Sequence, residues 1–195
     1  MKNFNLSYLK RSYLLGQHIW PQKKLTLKQA NRIKQIKPSR KVSDFGQKLQ
    51  DYRKISSVYA GLTRKAYTAI YKKARSFPGQ VRFNLLYLLE SRLDVCMYRS
   101  GFAPSFAASR QVISHGFVYV NGQKCRTKSI LLKPGDIIQY KPSKQHSNQK
   151  EFIARWISPS LVYPMNIEVD YASKTFIYLY PPQKVVLPVD LERAN

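Results

Sequence analysis

Apolar residues return at three- and four-residue steps from Asp44 to Gly61, where Leu49, Tyr52, Ile55 and Tyr59 predict a helix that Gly61 closes. Thr63 caps a second helix, with Tyr67, Ile70, Tyr71 and Ala74 on one face and Phe77-Pro78-Gly79 as its stop. A third helix is predicted over Asn84–Arg99, with Leu86, Leu89, Leu93 and Met97 on its buried side and Ser100-Gly101 at its end. Ser105 caps a short fourth helix, Phe106–His115, closed by Gly116, with Val112 and Ile113 facing inward. The period then changes from helical to alternating. Phe117–Val120 reads as a strand, Asn121-Gly122 as a tight hairpin turn, and the return strand carries Lys124, Cys125 and Arg126. Lys133-Pro134-Gly135-Asp136 is a further turn before the strand Ile137–Lys141. After the polar stretch 142–150, Ile167–Tyr171 alternates, and Thr175–Tyr180 can pair with it. No internal repeat occurs.

These elements predict an α+β protein in four parts. Residues 1–43 form a basic extension and 44–84 a helical portion. Residues 85–141 form a small two-helix module with a β-hairpin, and 142–195 a linker and β-containing tail packed on the helical portion. Hydrophobic residues make up 44% of the 195, enough to bury a core in at least part of the chain. Two cysteines, Cys96 and Cys125, exclude a disulfide scaffold and read as isolated buried thiols. No uncharged apolar run is long enough for a membrane-spanning helix.

Charge narrows the function. The chain carries 34 Lys and Arg against 10 Asp and Glu, a net +24 that a compact protein tolerates best beside a polyanion. The excess is uneven: the first 150 residues hold 30 bases against five acids, and the remainder four against five. Residues 1–43 contain no acid, which fits either a transit peptide or a mature arm that orders along phosphates. The Lys-rich composition and Trp20-Pro21 favour the mature arm. No long helix combines a basic face with a broad apolar one, so nucleic acid is a better partner than a membrane. No cofactor is expected.

The candidate RNA-binding residues follow from this distribution. Arg40, Lys41, Lys48, Arg53, Lys54, Arg64, Lys65, Lys72, Lys73 and Arg75 lie on the arm and the first two helices, where no acid occurs between Asp51 and Glu90. In the module, Arg92, Arg99, Arg110, Lys124, Arg126 and Lys128 supply cations. Gln111, Ser114 and His115 supply neutral polar groups able to reach phosphates and 2′-hydroxyls. Few aromatics stand in a row for base stacking, so folded RNA read by shape fits better than a single strand. Arg110 is expected on the outward side of its helix, so that Arg110→Ala weakens RNA binding and leaves the fold intact. The tyrosines at helical spacing read as core rather than as stacking platforms.

The runs Leu89-Glu90-Ser91-Arg92-Leu93-Asp94, Tyr98-Arg99-Ser100-Gly101-Phe102-Ala103-Pro104, Ala108-Ser109-Arg110-Gln111-Val112-Ile113-Ser114-His115-Gly116, Val118-Tyr119-Val120-Asn121-Gly122 and Lys133-Pro134-Gly135-Asp136 closely resemble the small-subunit ribosomal protein S-four family. The resemblance spans about residues 44–141; Ile167–Asp170 and Leu187–Leu191 match it weakly. It implies a structural constituent of the small ribosomal subunit, and it places Ser105 and Tyr119, with Arg92, Arg110, Gln111, Ser114 and His115, in the RNA-binding motif. Such a protein binds a multi-helix junction in the 5′ domain of small-subunit rRNA, nucleates assembly of the subunit body and contributes to translational accuracy. The implied partners are that rRNA, neighbouring small-subunit proteins, and messenger RNA where it enters the subunit. Departures from the family are an N-terminal segment that does not align, no cysteine before Cys96 where many bacterial members bind zinc, a divergent stretch from Lys141 to Pro164, and a C-terminus soon after Asp190. These resemble a mitochondrial member; plastid and bacterial settings are the alternatives.

Two other functions use the same module. A pseudouridine synthase would need a catalytic aspartate, and Arg92-Leu93-Asp94 superficially resembles that loop. The separate catalytic domain is missing, so Asp94 is expected to be a helix-surface carboxylate paired with an arginine, and the chain is not expected to be an enzyme. His115, with no matched acid or nucleophile nearby, suits a helix end or a phosphate contact rather than a general base. The remaining alternative is a free RNA chaperone.

Overall fold

Short polar side chains set the helix starts on the N-terminal side of the fold. Thr26 and Gln29 form a reciprocal capping box at α2 (Leu27–Lys34), and the Ser43 hydroxyl accepts from the Gly46 N–H at α3 (Asp44–Val58). Thr63 accepts from the Ala66 N–H at 3.3 Å and opens α4 (Arg64–Ser76) as expected. The structure, a computed structural model, describes residues 8–18, 25–35, 43–59, 61–142 and 165–182. It divides into two compact units between Ser76 and Phe77.

In the first unit, α1 (Tyr8–Leu15) packs with α2 and α3. The Arg32 guanidinium lies over the Tyr13 ring at 5.3 Å, and Ile33 of α2 is buried. Within the stretch that composition suggested is an unformed arm, Tyr8–Leu15 and Leu27–Lys34 are therefore packed helices. The amphipathic spacing of α2 and its cap are sufficient local causes. Between α3 and α4, the Leu62 carbonyl accepts from both the Ser56 hydroxyl (2.8 Å) and the Tyr52 hydroxyl (3.2 Å). Gly61 makes this tight reversal at φ +79°. Tyr59 is core; Tyr52 and Tyr67 meet edge to face at 5.1 Å, and burial pushes the Tyr67 phenol up to about 12. Tyr71, expected inside, is 36% exposed.

The second unit runs α5 (Val81–Glu90), α6 (Leu93–Arg99), α7 (Phe106–Ser114), then β1 (Val118–Val120), β2 (Gln123–Cys125), β3 (Ile137–Tyr140), β4 (Ile167–Asp170) and β5 (Thr175–Tyr178). The single helix expected over Asn84–Arg99 is two helices broken at Ser91-Arg92. The cause lies about forty residues downstream in the chain. The Leu132 N–H donates to the Ser91 carbonyl (2.8 Å) and the Leu93 N–H to the Ile130 carbonyl (2.9 Å), with an Arg92–Leu131 bridge between them. A strap of extended chain thus takes the groups that a continuous helix would use.

The sheet order is β2-β1-β3-β5-β4, all neighbours antiparallel. The tail hairpin β4–β5 pairs as expected, and β5 joins β3, so these strands extend the module's own sheet, a pairing not foreseen. Alternation sorts the faces: Val118, Ile138, Tyr140, Phe176 and Tyr178 turn inward onto Leu93, Cys96, Met97, Phe102 and Ile113. Each such side chain, fully buried, stabilises the fold by roughly 1.5–3 kcal/mol. The Asn121-Gly122 turn has both residues at positive φ (49° and 80°), as the hairpin pattern requires. Asn121 Nδ2 donates to Asp136 Oδ1, and Asn121 Oδ1 accepts from the Ile137 N–H, so the module's two turns lock together.

Candidate nucleic-acid interface

The break between α5 and α6 decides the fate of the module's arginines. Asp94 is fully buried, and its carboxylate takes a two-pronged contact from Arg92 (2.9 and 3.1 Å) and a third from Arg110 Nε (2.8 Å). Its carbonyl accepts from the Ser109 hydroxyl at 2.6 Å, fixing α7 against α6. Glu90, also buried, holds Arg99 through two contacts of 3.1 and 2.8 Å. Asp94 is therefore an interior carboxylate, not a surface one, although its arginine pairing was foreseen. Arg92, expected among the phosphate contacts, is 5% exposed and stands in a core ion pair. Arg99 and Arg110 keep 29% and 18% side-chain exposure, but each guanidinium is anchored internally.

Buried charge of this kind survives only when paired and hydrogen-bonded, and removing one partner strands the other. Arg110→Ala consequently removes a fold contact. Both thiols are buried, and Cys96 lies beside the same ion pairs, donating to the Glu90 carbonyl. Burial, then the Glu90 and Asp94 charges, push its thiol well above the ordinary range.

The other cations are outside. Lys124, Arg126 and Lys128 are exposed along β2 and the strap that follows it. Tyr119 pairs with Lys124 on one side and Gln139 on the other, and Gln139 pairs with Thr175, giving a polar row on the sheet's outer face. Lys141 Nζ stands 4.7 Å over the Tyr119 ring, so one face of that ring is already occupied. Lys141 is not among the sequence candidates, and alternation from Gln139 puts it on this face.

Gln111, Ser114 and His115 are exposed at the end of α7, where His115 is the C-terminal cap and the Ser114 hydroxyl donates to the Gln111 carbonyl. Ser105 is also exposed, but its hydroxyl is engaged by the Ala108 N–H as the α7 cap.

In the first unit, Arg64, Lys65, Lys72, Lys73 and Arg75 are exposed around α4, as are Lys48 and Arg53 on α3, while Lys54 is half-buried. Arg40 and Lys41 lie outside the described residues, as do residues 143–150 and Leu187–Leu191. Among the described residues no three His, Cys, Asp or Glu side chains could hold a metal, and no helix is long and apolar enough to cross a membrane.

The S4 domain family matches residues 91–138, the stretch from the helix break through β3. A small ribosomal subunit protein uS4 of Hyphomonas neptunium is 35% identical over 190 residues, covering 93% of this chain and 90% of its own length. Those of Chlorobium phaeovibrioides (38% over 146 residues; 74% and 70%) and Novosphingobium aromaticivorans (34% over 183 residues; 91% and 88%) are similarly related.

Proposed function

The chain belongs to the uS4 family of small ribosomal subunit proteins, and we propose from that premise that it binds small-subunit rRNA through its exposed cations. Its role is that of a structural constituent of the small ribosomal subunit. The observation that carries the RNA reading is the division of cations in the module. Arg92, Arg99 and Arg110 are held by buried acids, while Lys124, Arg126 and Lys128 face outward. The α4 cations add a second basic surface within a stretch free of acids.

The resemblance supports a finer account. The chain grips a multi-helix junction of the rRNA 5′ domain, nucleates assembly of the subunit body and contributes to decoding accuracy, with neighbouring proteins and incoming messenger RNA as further partners. Residence in a mitochondrial small subunit is part of this proposal. It is supported by the acid-free residues 1–43 and the absence of cysteine before Cys96, while the relatives compared are bacterial. Catalysis at Asp94 is opposed by its full burial and by three arginine contacts on its two oxygens.

Binding of this kind is strongly salt-dependent. With about six to ten phosphate contacts, affinity for small-subunit rRNA falls roughly 10³–10⁵-fold between about 50 and 200 mM salt. Filter binding measures the slope; a nearly flat one would overturn the proposal. In high-salt sedimentation the chain should co-migrate stoichiometrically with the small subunit, whereas a chaperone would separate.

A further inference from the structure

We infer that Lys124 and Arg126 act as one clamp, holding a single RNA phosphate between them over Gly116. This rests on the rRNA reading above and assigns the arrangement of one contact within it. A Cβ placed on Gly116 would stand 3.3 Å from Lys124 Nζ and 3.2 Å from Arg126 Nε, and would overlap Lys124 Cε. One point in space is therefore close to both cationic heads. The two residues are spaced i, i+2 in extended chain, which puts them on one side of it. Instead of splaying apart, as two unpaired like charges would, they converge.

Nothing negative explains that convergence among the described residues. In the module, the buried acids are taken by Arg92, Arg99 and Arg110, and no carboxylate among the described residues is in ion-pair reach of Lys124 or Arg126. The carbonyl end of α7 lies beneath them and supplies only a partial negative charge. Three carbonyls of its last turn are already accepting: Gln111 from the His115 N–H, Ile113 from Gly116 and Val112 from Phe117. An anion with several acceptor oxygens would satisfy both heads at once, and a phosphate diester does so. Gly116 serves this twice. It adopts φ +75°, which turns the chain from α7 into β1, and its lack of a side chain lets the Lys124 stem lie across it beside Arg126.

The test is filter binding of the full chain to small-subunit rRNA across about 50–200 mM KCl, with thermal unfolding of every variant. A shared phosphate predicts that Lys124→Ala and Arg126→Ala each weaken binding roughly tenfold. The double variant should match either single one within about twofold, because the second cation has lost its ligand. The slope of log affinity against log salt should fall by about 0.7–0.9 once, not twice. Gly116→Ala should lower affinity in the wild-type background and add nothing in the double variant. Multiplying losses, with the slope falling at each step, would mean two independent phosphates and would overturn the clamp, as would single variants that bind normally. If the unsubstituted chain itself shows no preference for small-subunit rRNA over transfer RNA, the rRNA reading fails and the clamp with it.

Discussion

Two stretches of the same small module carry cations to opposite ends. Around the helix break, Arg92, Arg99 and Arg110 point into carboxylates that are themselves buried. On the hairpin arm, Lys124, Arg126 and Lys128 point outward with no acid in reach among the described residues. The difference teaches that a basic side chain is defined by the acid it meets, not by its sign. Where Glu90 and Asp94 are buried, a guanidinium meets each carboxylate, and its planar fork matches that geometry better than an ammonium does. Where no acid is supplied, the same charge is left for an external anion.

The sharpest way to break this contrast is at its centre. Asp94→Ala should destabilise the fold by about 3–5 kcal/mol, because it strands the 5%-exposed Arg92 without a counterion. Urea unfolding measures it; a loss below about 1 kcal/mol would mean that the ion pair is not what joins α6 to α7. Arg110→Ala should cost less, about 1–3 kcal/mol, since Asp94 keeps both contacts from Arg92. That destabilisation, measured by thermal unfolding, distinguishes a fold contact from an outward phosphate contact, whose loss would leave the midpoint unchanged.

Much of the scaffold was legible because its causes are local. Thr63, Ser105 and Asn121-Gly122 act on their nearest neighbours, and the structure has them capping and turning as their chemistry dictates. The misses share a different physical origin. The helix breaks at Ser91 because residues 130–132 take its hydrogen bonds, which no window around Ser91 can reveal. Asp94 looked like a surface residue because its burial depends on that strap and on α7. The tail strands alternated correctly, but pairing pattern alone could not say whether β5 would find β3 or cover a helix. The inward turn of the arginines was hidden for the same reason: their acids were in plain view, but the burial of those acids was not.

A neutral link at the same break sharpens the comparison at smaller scale. The Ser91 hydroxyl donates to the Tyr87 carbonyl, so in its 2.8 Å contact with Tyr178 the phenol is the donor. Burial pushes the Tyr178 phenol up to about 12. The fold thus holds that proton more tightly than the unfolded chain does. Its contribution is fully present below the ordinary tyrosine value of about 10 and is lost as pH climbs from there towards 12. Tyr178→Phe should cost about 1 kcal/mol at neutral pH and should flatten this alkaline loss relative to wild type. Unfolding midpoints at several pH values between 9 and 12 check both; parallel curves would show that the phenol's proton is not linked to folding.

The smallest expected change in stability belongs to the outer arm, and it completes the contrast. Lys128→Ala removes an exposed cation whose backbone carbonyl, not its side chain, takes part in the fold by accepting from the Asp94 N–H. Truncating the side chain should leave that bond intact and shift stability by no more than about 0.5 kcal/mol. Its effect belongs instead in the salt dependence of rRNA binding, where one lost phosphate contact lowers the slope by about 0.7–0.9. Arg110→Ala should show the reverse pattern, a lower unfolding midpoint with little change in slope. If both variants lower the slope equally while neither moves the midpoint, the inward and outward cations are not two populations, and the carboxylates at 90 and 94 do not set the arginines' role.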